Sequence, residues 1–255
     1  MTGKVLEGQK AIITGGSAGI GAAIARRFAS EGASIWAAGG SDGEGLGKTI
    51  DACAKAGVKA GGKCYDLSQA SRAVEVIRDG AGFLGGVDIL VNCAGSRLVK
   101  PFLETTDEEV NLLFEVNAKA TYLASREAAR LMVQQGGGRI LMIGSIYGER
   151  GAKNFSLYCA TKCTMHNLAR AMAVELGPQG IRANCLMPGL TVSDRVAKNL
   201  SRMGEEHVAQ RKEMIPNRRF GAVEEMADIA LFLVSKQNDF MNGAMVASDG
   251  GWMAG

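Results

Sequence analysis

Tyr158 and Lys162 stand four residues apart in Tyr-Cys-Ala-Thr-Lys, with Ser145 thirteen residues upstream. In a helix, residue i+4 returns over residue i, so this spacing sets a cation beside a phenol. A free phenol titrates near pH ~10, too high for a base at neutrality. A neighbouring ammonium favours the phenolate and brings such a group into range for general acid–base work. The Ser145 hydroxyl could hold a carbonyl or alcohol oxygen beside that phenol. Alone, a Tyr-x-x-x-Lys pair more commonly marks a solvated helix face, so the reading depends on what stands upstream.

A glycine-rich turn stands there. The apolar run Lys10-Ala11-Ile12-Ile13 leads into Thr14-Gly15-Gly16-Ser17-Ala18-Gly19-Ile20-Gly21, and Ala22 to Phe28 continues with apolar residues at helical spacing. Strand, glycine turn and helix in that order give the motif its meaning. Gly15 can take a positive φ, while Gly19 and Gly21 let backbone approach a pyrophosphate and pack helix on strand. Free N–H groups of the first turn, with the helix dipole, would then bind phosphates.

The composition narrows the classes. At 255 residues, 47% apolar and 22% charged, the chain suits one large α/β domain with a sizeable core. A net charge of +3, with no basic run interleaved with aromatics, gives no ground for nucleic acid as a partner. Cysteines 53, 64, 93, 159, 163 and 185 form no CxxC and no disulfide framework, and no metal site is expected. The first eight residues lack a signal-peptide core, and no run of eighteen apolar residues suggests a membrane span. These readings point to a cytoplasmic protein with reduced thiols. His166 and His207 lack metal-ligand partners, the first reading as packed in an apolar helix and the second as solvated. Glu108-Glu109 and Glu224-Glu225 read as first-turn residues favoured by the helix dipole.

The elements that must position this chemistry alternate from end to end. Strands are expected at 11–13, 34–38, 62–65, 87–91, 140–143, 183–187 and 244–247. Helices are expected at 20–31, 45–56, 70–83, 107–135, 156–176 and 223–235. Strands this apolar suit a parallel sheet covered on both faces, so the pattern describes a single-domain, seven-stranded, doubly wound α/β fold of Rossmann type. The stretch 191–219 interrupts the rhythm and is expected to form a substrate flap. Its seven basic residues against Asp194, Glu205, Glu206 and Glu213 lean slightly towards anionic ligands, although such a mixture more often makes a solvated face.

The ordered set of motifs resembles the short-chain dehydrogenase/reductase family over essentially the whole chain. Residues 14–21 look like its cofactor turn, with Gly15, Ser17, Gly19, Ile20 and Gly21 as contacts. Asp66-Leu67 resembles its adenine-contacting pair, and Asn92-Cys93-Ala94-Gly95 its Asn-Asn-Ala-Gly segment, with Cys93 in place of an Asn. Asn117 matches the position from which the family holds a water in its proton relay. Ser145, Tyr158 and Lys162 match the rest of its catalytic tetrad. Pro188-Gly189, with Thr191 and Ser193, resembles the segment that holds the nicotinamide carboxamide, and Asp249-Gly250-Gly251 the closing motif. The resemblance implies NAD(P)-dependent interconversion of a secondary alcohol and a ketone. Tyr158 is then the acid–base group, Ser145 the oxyanion stabiliser, and Lys162 a ligand of the nicotinamide ribose. Tyr147 reads as a pocket wall. The 3-oxoacyl carrier-protein reductases are one similar branch, and a non-catalytic dinucleotide sensor on the same fold is an alternative from another class. A homo-oligomer built through 107–135 and 156–176 is also implied, with Trp252 lining a neighbouring pocket.

Family members that use NAD usually carry an Asp at the end of the second strand, and NADP users a small residue there followed by an Arg. Here the segment reads Ala38-Gly39-Gly40-Ser41-Asp42, with neither. A 2′-phosphate without a cation forgoes a charge-assisted bond of about 1.5–3 kcal/mol, whereas a ribose hydroxyl can use Ser41, Asp42 or backbone. The balance leans towards NAD, with NADP open.

Overall fold

The computed structural model describes residues 3–255. Its first half builds β1 (Lys10–Thr14), α1 (Gly19–Ser30), β2 (Ser34–Gly39), α2 (Gly43–Lys55), β3 (Ala60–Cys64), α3 (Arg72–Leu84) and β4 (Ile89–Asn92). There follow α4 (Asp107–Phe114), α5 (Ala120–Gln134), β5 (Gly138–Ile143), α6 (Ser156–Leu176) and β6 (Ile181–Pro188). The chain ends with β7 (Thr191–Val192), α7 (Asp194–Leu200), α8 (Glu205–Glu213), β8 (Gly221–Ala222), α9 (Val223–Val234) and β9 (Met245–Ser248).

Seven strands form one parallel sheet in the order β3-β2-β1-β4-β5-β6-β9. Successive strand residues face opposite sides, so Ile12 and Leu90 pack with Val76, Ala128 and Met132 on one face. Ile13 and Val91 pack with Ile24, Phe28 and Leu231 on the other. Both faces are dry, which is why the strands read as unbroken apolar runs. The order reverses direction between β1 and β4, and a crevice opens there beyond the strand ends. The single-domain, doubly wound α/β architecture is the expected one.

Two stretches differ from the sequence reading. The expected helix 107–135 is two helices joined by a π-helical turn, Glu115–Lys119. A π turn inserts one extra residue into the helical ladder, and it carries Asn117. The stretch 191–219 holds α7 and α8, and its two ends are fastened together where Thr191 pairs with Gly221 and Val192 with Ala222. At the start of α4, Thr106 and Glu109 form a capping box, and Glu225 accepts from the Ala222 N–H at the start of α9, as first-turn carboxylates should. No described helix is long and apolar enough to cross a membrane.

Candidate active site

The turn between β1 and α1 has the shape a pyrophosphate needs. Gly15 has φ +71°, and a β-carbon on it would lie 2.8 Å from the Ala94 nitrogen. A β-carbon on Gly21 would lie within the Gly15 carbonyl, so both positions must be bare. Helix α1 starts at Gly19 with no side-chain cap and no acid in its first turn, leaving its first N–H groups and positive dipole end for a ligand. The Thr14 hydroxyl accepts from the N–H groups of Cys93 (3.0 Å) and Ala94 (3.1 Å), which ties the loop after β4 to this turn. These residues fit a dinucleotide. Ser17 lies beside Gly39 at the end of β2, and Ser193 lies against Gly19.

Other expected cofactor contacts lie on β4 and after β2, β3 and β6. Asn92 is buried, and its amide donates to the Ser125 hydroxyl at 3.0 Å, so this side chain serves the packing of β4 on α5 and does not point into the crevice. Asp66 is exposed and accepts from the Ser68 N–H at 3.0 Å, and the Ser68 hydroxyl together with that N–H holds its carboxyl below the ordinary range. Leu67 packs on the core. Asp42 is occupied as the N-cap of α2, accepting from the Gly45 N–H at 2.8 Å. Ser41 beside it is exposed. Pro188 closes β6, Gly189 follows against Asp249, and the Thr191 hydroxyl donates to the Gly189 carbonyl at 3.2 Å. Ser193 caps α7 through the Val196 N–H.

Around Tyr158 the structure draws the expected residues together. Lys162, one turn on, lies with its ammonium 5.8 Å from the Tyr158 ring centre. It is buried and donates to the Ile143 carbonyl at 2.8 Å, which pins α6 to the strand end two residues before Ser145. Ser145 is buried at the start of a 3₁₀ turn whose Tyr147 N–H donates to its hydroxyl. Asn117 is fully buried and fully used. Its Oδ1 accepts from the Ser96 N–H (2.8 Å), and its Nδ2 donates to the Ser96 carbonyl (2.9 Å) and to the Thr161 hydroxyl (3.0 Å). Thr161 in turn donates to the Tyr158 carbonyl. A β-carbon on Gly95 would lie 3.3 Å from Asn117 Oδ1 and 3.6 Å from Lys162 Nζ, so these two groups share one floor.

Beyond Tyr158 lies an aromatic wall. Phe155 meets Tyr158 edge-on at 6.3 Å between ring centres, and Tyr147 lies 5.1 Å from Phe155 and 6.5 Å from Trp252. Trp252 thus stands beside Tyr147 of its own chain. Burial raises the Tyr147 phenol above its ordinary value, which suits a wall and not an acid. His166 is buried beneath the Ser145 turn, close to Gly144 and Gly148, with Nδ1 3.0 Å from Glu149 Oε1. Burial lowers its pKa despite Glu149. Thr14, Ser96, Thr161 and His166 position the site, and sequence reasoning missed that role.

The family model described as enoyl-(acyl carrier protein) reductase matches residues 15–253. The 3-oxoacyl-[acyl-carrier-protein] reductase of Aquifex aeolicus is 32% identical over 246 residues, 96% of this chain and 98% of that protein. The chain belongs to the short-chain dehydrogenase/reductase family. The L-xylulose reductase of Bos taurus is 33% identical to this family member over 250 residues, 98% of each protein. A solved short-chain dehydrogenase of Burkholderia cenocepacia in complex with NADP superposes with a TM-score of 0.90 at 29% identity, over 98% of this chain and 99% of that one. As a short-chain dehydrogenase/reductase, the protein is an NAD(P)-dependent oxidoreductase acting on CH–OH donors.

Proposed function

We propose that the protein interconverts a secondary alcohol and a ketone, with Tyr158 as the group that moves the proton. The observation that carries this reading is the pair of tethers on α6. Lys162 to Ile143 and Asn117 through Thr161 to the Tyr158 carbonyl fix the phenol at the strand end that bears Ser145. When bound, the dinucleotide supplies or accepts a hydride at its nicotinamide ring. Tyr158 donates its phenolic proton to the nascent alkoxide in reduction and takes the hydroxyl proton in oxidation. Ser145 holds that oxygen and stabilises its developing charge. Beyond its bonds to the Ile143 carbonyl and the Met165 sulfur, the Lys162 ammonium keeps one donor, which would serve the ribose over Gly95. The first turn of α1 holds the pyrophosphate, with Gly15, Ser17, Gly19, Ile20 and Gly21 forming the cradle. Ala94, Gly95, Pro188, Gly189, Thr191 and Ser193 enclose the nicotinamide end, and Asp66 and Leu67 the adenine.

NAD is the preferred coenzyme in this reading. After β2 the polar groups are Ser41, Asp42 and Glu44, and the nearby Lys48 is paired with Glu44 at 2.6 Å, so no free cation meets a 2′-phosphate there. The protein works as a homo-oligomer through α4, α5 and α6, where Leu112, Phe114, Tyr122 and Val174 are exposed apolar residues. The test is absorbance at 340 nm with each coenzyme and a panel of ketones and alcohols. Tyr158→Phe should lower kcat by about 10²–10⁴ while coenzyme still binds. Unchanged turnover in that variant would refute the assignment.

A further inference from the structure

Three arginines converge on the aromatic wall from three separate elements. Arg97 follows Ser96, whose backbone Asn117 clamps, and its guanidinium carbon lies 5.9 Å from the Phe155 ring centre. Arg150 follows the Ser145 turn and lies 5.9 Å from the Trp252 ring centre. Arg211, on α8, acts with the other two on the Tyr147 phenol. Their positive charge offsets part of the burial effect there, and no carboxylate contributes. Among the described residues none of the three forms an ion pair. The acid next to Arg150, Glu149, is committed to His166 and Arg170.

Unpaired cations along one aromatic wall repel one another and raise its potential, and an anion between them relieves both. Guanidinium stacks on aromatic rings while its N–H fork grips a carboxylate or phosphate, and this wall offers both features. The coenzyme does not account for that charge. Its pyrophosphate belongs to α1, and its adenosine end to β2. Three strand spacings of about 4.8 Å separate β2 from β5, which leads into the Ser145 turn.

We propose that the substrate is a small ketone or secondary alcohol bearing a carboxylate or phosphate, gripped by Arg97, Arg150 and Arg211 against Tyr147, Phe155 and Trp252. The proposal rests on the reaction assigned above and names the substrate class for that site.

Paired probes test it, each differing only in charge: 4-oxopentanoate, 5-oxohexanoate and 6-oxoheptanoate against their methyl esters, and hydroxyacetone phosphate against hydroxyacetone. Wild type should favour the anionic member at least tenfold in kcat/KM in the carboxylate arm or the phosphate arm, and the favoured arm names the anion. Arg97→Gln, Arg150→Gln and Arg211→Gln should each reduce that ratio at least fivefold, with the change in KM. Calorimetric titration of the same pairs, with NAD or NADP present, gives a second ratio that does not need turnover. Ratios within twofold in both arms, or ratios that the three variants leave unchanged, overturn the proposal. If neutral ketones turn over without such discrimination, only this inference fails. If no ketone or alcohol turns over with either coenzyme, the reaction assignment fails, and the calorimetric ratio still decides this one.

Discussion

Replacing Asn117 by Ala removes three hydrogen bonds at once, and their loss can be sized. The two bonds to Ser96 are worth about 1 kcal/mol each, since the half-buried Ser96 groups regain only part of their hydration. The Thr161 hydroxyl is fully buried but keeps its bond to the Tyr158 carbonyl, so its loss adds about 1 kcal/mol. The sum, about 3 kcal/mol, corresponds to a fall in Tm of about 6–12 °C for a domain of this size. Differential scanning calorimetry measures it directly. Thr161→Val isolates the third bond, and a double-mutant cycle with Asn117→Ala should give a coupling of about 1 kcal/mol. The reasoning predicts more than destabilisation. With Ser96 released, the segment carrying Gly95 and Arg97 loses its fixed position, so KM for substrate should rise even well below the melting range. An Asn117→Ala protein that melts within about 2 °C of wild type, or a coupling near zero, would show that these bonds carry no weight and that the π turn is held by something else.

Gly148→Ala should damage the site from beneath. The added β-carbon would overlap His166 Cε1, and overpacking of this kind costs about 1–3 kcal/mol. Activity should fall through displacement of Ser145, and adding His166→Ala should restore part of the Tm; no restoration would refute the contact. Acid sensitivity is set in part by the same histidine. Its pKa is lowered from the ordinary 6.5 by burial, so its contribution to stability is complete above about pH 6.5 and is lost as pH falls towards the folded value. The Tm of wild type should therefore decline with acid below that point more steeply than that of His166→Gln, and equal slopes in thermal scans from pH 7 to pH 5 would refute this.

Much of this architecture was legible because the parallel sheet is dry on both faces. Ile12 and Ile13 point to opposite layers, and each strand announces itself as an apolar run. Tyr158 and Lys162 were legible because helical periodicity is local. The break at Glu115–Lys119 was not, because no glycine or proline marks it. The extra residue is held by long-range bonds from Asn117 to Ser96 and Thr161, and such bonds have no signature in the local pattern. At Asn92 the motif gave no sign of the side chain's partner, because the strand's alternation turns it inward to Ser125. Asp42 looked available for a ribose, yet the helix that begins beside it needs a cap.

The nearness of Ser193 to Gly19 has a kinetic meaning. A β-carbon on Gly19 would meet Ser193 at 3.4 Å, so the first residues of the flap rest on the helix end proposed above for the pyrophosphate. A coenzyme seated there becomes part of the support beneath α7 and α8. With the coenzyme placed as proposed, turnover should follow a compulsory order, coenzyme in first and out last, and a ketone that competes with coenzyme in initial-rate kinetics would contradict it. In such a scheme the spent coenzyme leaves only after the product has gone.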